Sequence, residues 1–115
     1  MSEEELPIEK FFTEDTISVH LKAGAPPMAK RGYITEVKFE QVEEEILTEQ
    51  QVKEWAGAIE EKGRKSDRGF FEFDERDMKI IQLRNYRITI AQPPFSDGWE
   101  ITAVRPTVKT TIEDY

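Results

Sequence analysis

A change of hydrophobic period is the feature that most constrains this chain. Between Thr48 and Lys62 apolar residues recur at helical spacing, and on both sides of that stretch they alternate. Val52, Trp55, Ala56 and Ile59 stand at i, i+3, i+4 and i+7, one stripe on one face of a helix. Thr48 with Gln51 three residues later is a capping-box pattern, and Glu49 puts an anion in the first turn, where the helix dipole favours one. Lys62-Gly63 supplies a cation and a glycine stop, so the pattern predicts a helix ending there. The acidic run Glu43-Glu44-Glu45 either begins the helix early or belongs to the loop before it.

Before the helix, Thr16 to Leu21 alternates with β-branched enrichment and reads as a strand. Pro26-Pro27 then removes two ladder donors and forces a turn or an edge. Met28 to Arg31 and Thr35 to Phe39 read as short strands on either side of Gly32-Tyr33. After Gly69 the period is two: Phe70 to Phe73, Met78 to Leu83, Tyr86 to Gln92 and Trp99 to Arg105. Their short connectors make successive strands antiparallel neighbours, a meander. The expected class is α+β: a mostly antiparallel sheet of about six short strands with one main helix packed on it. Residues 1–7 read as a frayed acidic leader, with Ile8 to Phe12 a short apolar turn capping the core, so that 1–15 precede the domain proper.

At 115 residues there is room for one core, and seven Phe, two Trp and three Tyr suffice to fill a two-layer fold. Zero cysteines exclude disulfides, thiolate metal sites and cysteine nucleophiles, which makes a reducing cytoplasm the simplest setting. No apolar run reaches the length of a membrane span, so membrane insertion is not expected. The net charge of −8 is uneven: residues 1–63 carry 15 acids and 7 bases, residues 64–115 carry 9 of each. Nothing in the sequence supplies the basic stripe that neutralises nucleic-acid phosphates, so direct DNA or RNA binding by this piece is not expected.

Chemistry is sparse. There is no G-x-x-x-x-G-K-[ST] loop to cradle a triphosphate, and no G-x-G-x-x-G or G-x-S-x-G sequence. His20 is the one histidine and reads as a strand residue with one satisfied nitrogen. No catalytic residue and no metal site is expected of this piece. Four arginines stand in or beside the strands: Arg31, Arg84, Arg87 and Arg105. A guanidinium suits phosphate because it offers paired donors in a fixed plane and never loses its charge. On periodicity alone, these are ordinary strand arginines facing solvent. Arg87 faces away from Tyr86, Ile88 and Ile90, and Arg105 shares a face with Trp99, Ile101 and Ala103.

The run from Ser18 to Met28, with His20-Leu21, Gly24 and Pro26-Pro27, resembles the opening signature of the type II/IV secretion and PilT-type ATPases, D-[LI]-H-L-x-x-G-x-P-P-x. Arg31-Gly32, Tyr86-Arg87-Ile88 and Val104-Arg105-Pro106 are similar to later strands of that family, in the same order, over roughly residues 16–107. Ser18 departs from the family's usual Asp. The stretches 28–32, 91–98 and 100–106 most resemble an archaeal branch in which a PIN domain precedes the ATPase and a KH domain follows it.

The resemblance implies a PAS-like, non-catalytic N-terminal domain over 16–107, with 108–115 beginning a linker to a P-loop ATPase domain. Such a domain would close over ATP and Mg²⁺ held by the P-loop domain of the same or a neighbouring subunit, bind no nucleotide alone, and aid assembly of a hexameric ring. Carried over by position, Arg87 and Arg105 are its phosphate contacts. Nucleic acid would be handled only by other domains. A rival reading is a free-standing protein-interaction module that uses the acidic helix face and the exposed sheet.

Overall fold

The computed structural model describes residues 6–33 and 36–105. A 3₁₀ turn at Glu9–Phe11 is followed by β1 (Thr16–Lys22), β2 (Met28–Tyr33), β3 (Glu36–Gln41), α1 (Glu49–Lys65), β4 (Phe70–Glu75), β5 (Met78–Leu83), β6 (Tyr86–Ala91) and β7 (Glu100–Val104). All seven strands join one antiparallel sheet in the order β3-β2-β1-β7-β6-β5-β4. All seven segments that read as strands are strands, one more than the overall count of about six. Alternation shows that each segment is a strand, but it leaves open how the two strand groups meet. They meet through β1 and β7, with Val19 opposite Ala103 and Leu21 opposite Ile101.

Helix α1 connects the two edge strands, β3 and β4, and covers one face of the sheet. Val52, Ala56, Ile59 and Gly63 face inward and Trp55 is half-buried, so the predicted stripe is the packed one. Beneath it Val19, Leu21, Ile81, Ile88, Ile101 and Ala103 are wholly buried. Each larger side chain there contributes about 1.5–3 kcal/mol by leaving water. The Thr48 hydroxyl accepts the Gln51 amide at 3.1 Å, as the capping pattern predicts.

The far end of the helix differs from the reading of Gly63 as a stop. The helix runs on to Lys65, and the Ser66 amide closes it on the Lys62 carbonyl at 3.0 Å. Gly63 serves close approach instead: a Cβ there would lie 3.0 Å from Ile81 Cγ2 and 3.3 Å from Phe71 Cε1. The frayed-leader reading of residues 1–7 is also corrected at its end. Leu6 is 2% exposed, and its amide donates to Glu9 Oε1 at 2.8 Å, so the core begins at Leu6. Ile8 and Phe11 are buried beside it, and Phe11 meets Trp55 of α1 edge to face at 5.9 Å. Residues 1–5, Ile34 and Thr35, and 106–115, which include the linker expected at 108–115, lie outside the described residues.

The other face of the sheet has no helix over it. Phe39 (57% exposed), Phe73 (43%) and Val104 (40%) belong to strands of this sheet and stand open to solvent. Both edge strands carry acids, Glu36 and Glu40 on β3 and Glu72, Asp74 and Glu75 on β4, which discourages edge-to-edge pairing.

The two helix glycines separate packing from propensity. A methyl group on Gly57 would meet nothing within 4 Å, so Gly57→Ala is expected to raise unfolding free energy by about 0.5–1 kcal/mol. Gly63→Leu is expected to lower it by about 1–3 kcal/mol through overpacking against Ile81 and Phe71. Urea denaturation of both variants checks the opposite signs.

Candidate functional site

The candidate arginines gather at one pole of the sheet, where β5 turns into β6 and β7 ends. Their side chains take different faces. Arg87 pairs in register with Val104, so Arg87 and Arg105 are neighbours in the ladder, yet Arg87 points to the uncovered face and Arg105 to the helix side. The structure thus brings their backbones together and keeps their guanidinium groups apart.

Arg87 is exposed, and its Nε donates to Glu72 Oε1 at 2.9 Å. The same carboxylate accepts Gln82 Nε2 at 2.8 Å. The Gln82 bond first, and then the Arg87 bond and charge, hold the Glu72 carboxyl below its usual range. An ion pair this exposed adds little to stability and exchanges partners readily. The guanidinium of Arg87 is therefore available to a stronger anion.

Arg105 is engaged internally. Its guanidinium lies 4.7 Å over the Phe12 ring and donates to the carbonyls of Thr13 and Thr16. Phe12 in turn packs on Tyr86 at 5.0 Å. Thr16 is fully buried, and its hydroxyl takes the Thr13 amide at 2.9 Å and Arg31 Nε at 3.1 Å. The Thr13–Thr16 turn is thus held between two arginines, Arg31 of β2 and Arg105 just past the end of β7. Sequence periodicity missed this turn; a Thr-x-x-Thr pattern just before a strand was the available signal. Arg84 completes the pole by pairing with Glu9 Oε2 at 2.9 Å.

His20 stands on the uncovered face. Its Nε2 is 2.8 Å from Ser18 Oγ, and its ring meets Phe39 edge to face at 5.1 Å. Ser18, at the position where the resembling family has Asp, supplies the partner for the one histidine. Burial first, then the Lys30 charge, push the imidazole below 6.5, against a smaller opposing effect from Glu100. Beside it lies a cavity of about 280 Å³ lined by His20, Pro26, Met28, Phe39, Glu100 and Thr102. Next to this end of the sheet, the 92–98 loop carries a cis Pro93–Pro94 bond and an exposed Phe95, and the Ser96 hydroxyl donates to the Gly98 carbonyl at 2.6 Å. Among the described residues no group of three His, Asp or Glu is placed to hold a metal ion, and no helix is long and apolar enough to cross a membrane.

No protein-family model matches the chain. Two curated archaeal proteins are similar along nearly all of it. One, described as an uncharacterized KH and PIN-domain containing protein of Methanocaldococcus jannaschii, is 45% identical over 113 residues, 98% of this chain and 17% of that protein. The other, the Holliday junction branch migration ATPase PINA of Sulfolobus acidocaldarius, is 41% identical over 114 residues, 99% of this chain and 22% of that protein. The chain thus spans about a fifth of the length of the curated relatives it matches. Among solved structures, the Legionella pneumophila ATPase DotB is a distant likeness, with 14% identity, a TM-score of 0.43, and coverage of 83% of this chain and 28% of that one.

Two outcomes follow from this geometry. Arg105→Ala removes the clamp on the Thr13–Thr16 turn and is expected to cost about 1–3 kcal/mol, with Arg105→Lys intermediate, in thermal or urea unfolding. For His20 the folded pKa is depressed, so the unfolded chain binds the proton more readily. Its contribution is complete above about pH 6.5 and is lost as pH falls toward the folded value. An NMR titration of the single imidazole should give a midpoint below 6.5, and His20→Asn should flatten stability over that window.

Proposed function

We propose that this chain is a non-catalytic, PAS-like N-terminal domain of a ring-forming, PilT-type ATPase, closing over ATP and Mg²⁺ bound to a following P-loop domain. The observation that carries the reading is the pattern of similarity. Nearly the whole chain matches about a fifth of each relative, and one of these is named as an ATPase. A portion of that size with no Walker loop of its own suits an accessory domain.

On this reading Arg87 is the phosphate contact. It lies on the open face, and its present partner is an exposed carboxylate that it can release. A guanidinium brought to a nucleotide from outside the P-loop domain stabilises the charge that develops during phosphoryl transfer. Arg105, tied to two carbonyls and stacked on Phe12, holds the pole that presents Arg87, and it reaches phosphate only by leaving those partners. The P-loop domain lies against the uncovered face, whose exposed Phe39 and Phe73 it covers. Closure and opening of this contact couple nucleotide state to domain rotation. Those same exposed aromatics also favour the rival reading, an interaction module with no nucleotide role.

In a protein extended through the P-loop domain, Arg87→Ala should lower ATPase turnover roughly tenfold or more while changing nucleotide affinity less. Arg105→Ala should lower turnover in step with its loss of stability, and Arg105→Lys should recover part of both. Unchanged turnover in Arg87→Ala would leave the interaction module as the better account.

A further inference from the structure

The two edges of the sheet are built differently. On β4 a bulge between Phe71 and Phe73 breaks the register, Glu72 is taken by Arg87 and Gln82, and Asp74 by Arg64. A bulge twists an edge strand away from regular pairing. On β3 all six residues pair with β2 in unbroken register, and β2 is its one neighbour. Every residue from Glu36 to Gln41 is exposed. Among the described residues, then, β3 lies open at its edge and on both faces.

Two hydrogen bonds fix which backbone groups of β3 point outward. The Val42 amide donates to the Pro27 carbonyl at 2.9 Å, one step beyond the Met28–Gln41 pair. The Gly32 amide donates to the Asp15 carbonyl at 2.9 Å, away from β3. Bonded and non-bonded pairs alternate along an antiparallel ladder. Glu36, Lys38 and Glu40 therefore bond inward to β2, while Val37, Phe39 and Gln41 turn amide and carbonyl out of the sheet. Side chains alternate with the same period. Val37 and Phe39 share the uncovered face, where Phe39 meets His20, and Glu36, Lys38 and Glu40 take the other. Glu40 has a loose partner, Arg31 at 3.9 Å. Glu43, Glu44 and Glu45 follow, so residues 36–45 carry five acids and one base.

The geometry points to β3 as the docking edge for an extended segment of a partner protein, one that reads basic–apolar–x–apolar–basic and joins the sheet as a further strand. The outward amides and carbonyls of Val37, Phe39 and Gln41 bond its backbone. Its apolar side chains pack opposite Val37 and Phe39, and its Lys or Arg residues face Glu36 and Glu40. The acids that deter a second acidic edge are the ones that select such a segment. Another copy of this chain is the poorer occupant, since it brings a further net charge of −8 and the same acidic edge. The added strand lies in the plane of the sheet, beside the uncovered face rather than over it. The inference thus goes beyond the nucleotide-closing reading, and its failure leaves the Arg87 test standing.

Amide hydrogen exchange of the 115-residue chain reads the edge residue by residue. In the free chain Val37, Phe39 and Gln41 should exchange freely while Lys38 and Glu40 are protected. The probe is a capped peptide, Thr-Lys-Val-Thr-Val-Lys-Thr, at up to about 1 mM in low salt (about 0.05 M). It should slow exchange at Val37, Phe39 and Gln41 about tenfold or more. A fully N-methylated version, which has no ladder donors, should leave them unchanged. Glu36→Lys with Glu40→Lys should weaken the peptide about tenfold or more and favour the same peptide with Glu in place of Lys. Phe39→Pro removes an outward donor, keeps the bonds to β2, and should abolish the protection at Val37 and Gln41. The charge reversal lies on exposed side chains and keeps the test alive if the proline variant folds poorly. No protection by the peptide overturns the inference, as does binding indifferent to the charge reversal. Outward amides already protected in the free chain overturn it by showing an edge closed by the chain itself or by a second copy, which sedimentation tells apart. Protection in a protein extended through the P-loop domain overturns it too, and gives the edge to another part of the same polypeptide.

Discussion

The pairing of β1 with β7 is the contact on which the rest depends. It joins residues about 80 positions apart in sequence and turns a three-strand group and a four-strand meander into one sheet. Only then does the α1 stripe have a floor, because Val19 and Leu21 come from one group and Ile101 and Ala103 from the other. The same seam aligns both ends of the domain. At one end the Ala23 amide reaches the Trp99 carbonyl, and at the other the Arg105 amide reaches the Ile17 carbonyl.

Much of this was legible because period and capping are local. The Thr48 cap, the Val52–Ile59 stripe and the strands β5, β6 and β7 follow from residues close in sequence. The misses are tertiary. Gly63 reads as a stop from its neighbours, while in the fold it lets Ile81 and Phe71 approach the helix. Leu6 follows a run of polar residues and precedes a proline, yet the Glu9 carboxylate turns it inward. The junction of the two strand groups had no local signature at all.

The candidate site was legible in part. Alternation put Arg87 on the face away from Tyr86, Ile88 and Ile90, and Arg105 on the face of Ile101 and Ala103, and the structure has both there. It gave no warning that Arg105 is occupied by backbone carbonyls, because the Thr13–Thr16 turn lies about 90 residues away.

The clamp formed by Arg105 staples the end of β7 to the turn that precedes β1: its guanidinium bonds the Thr13 and Thr16 carbonyls, about 90 residues away in sequence, so β7 cannot peel from β1 at this pole without releasing that turn.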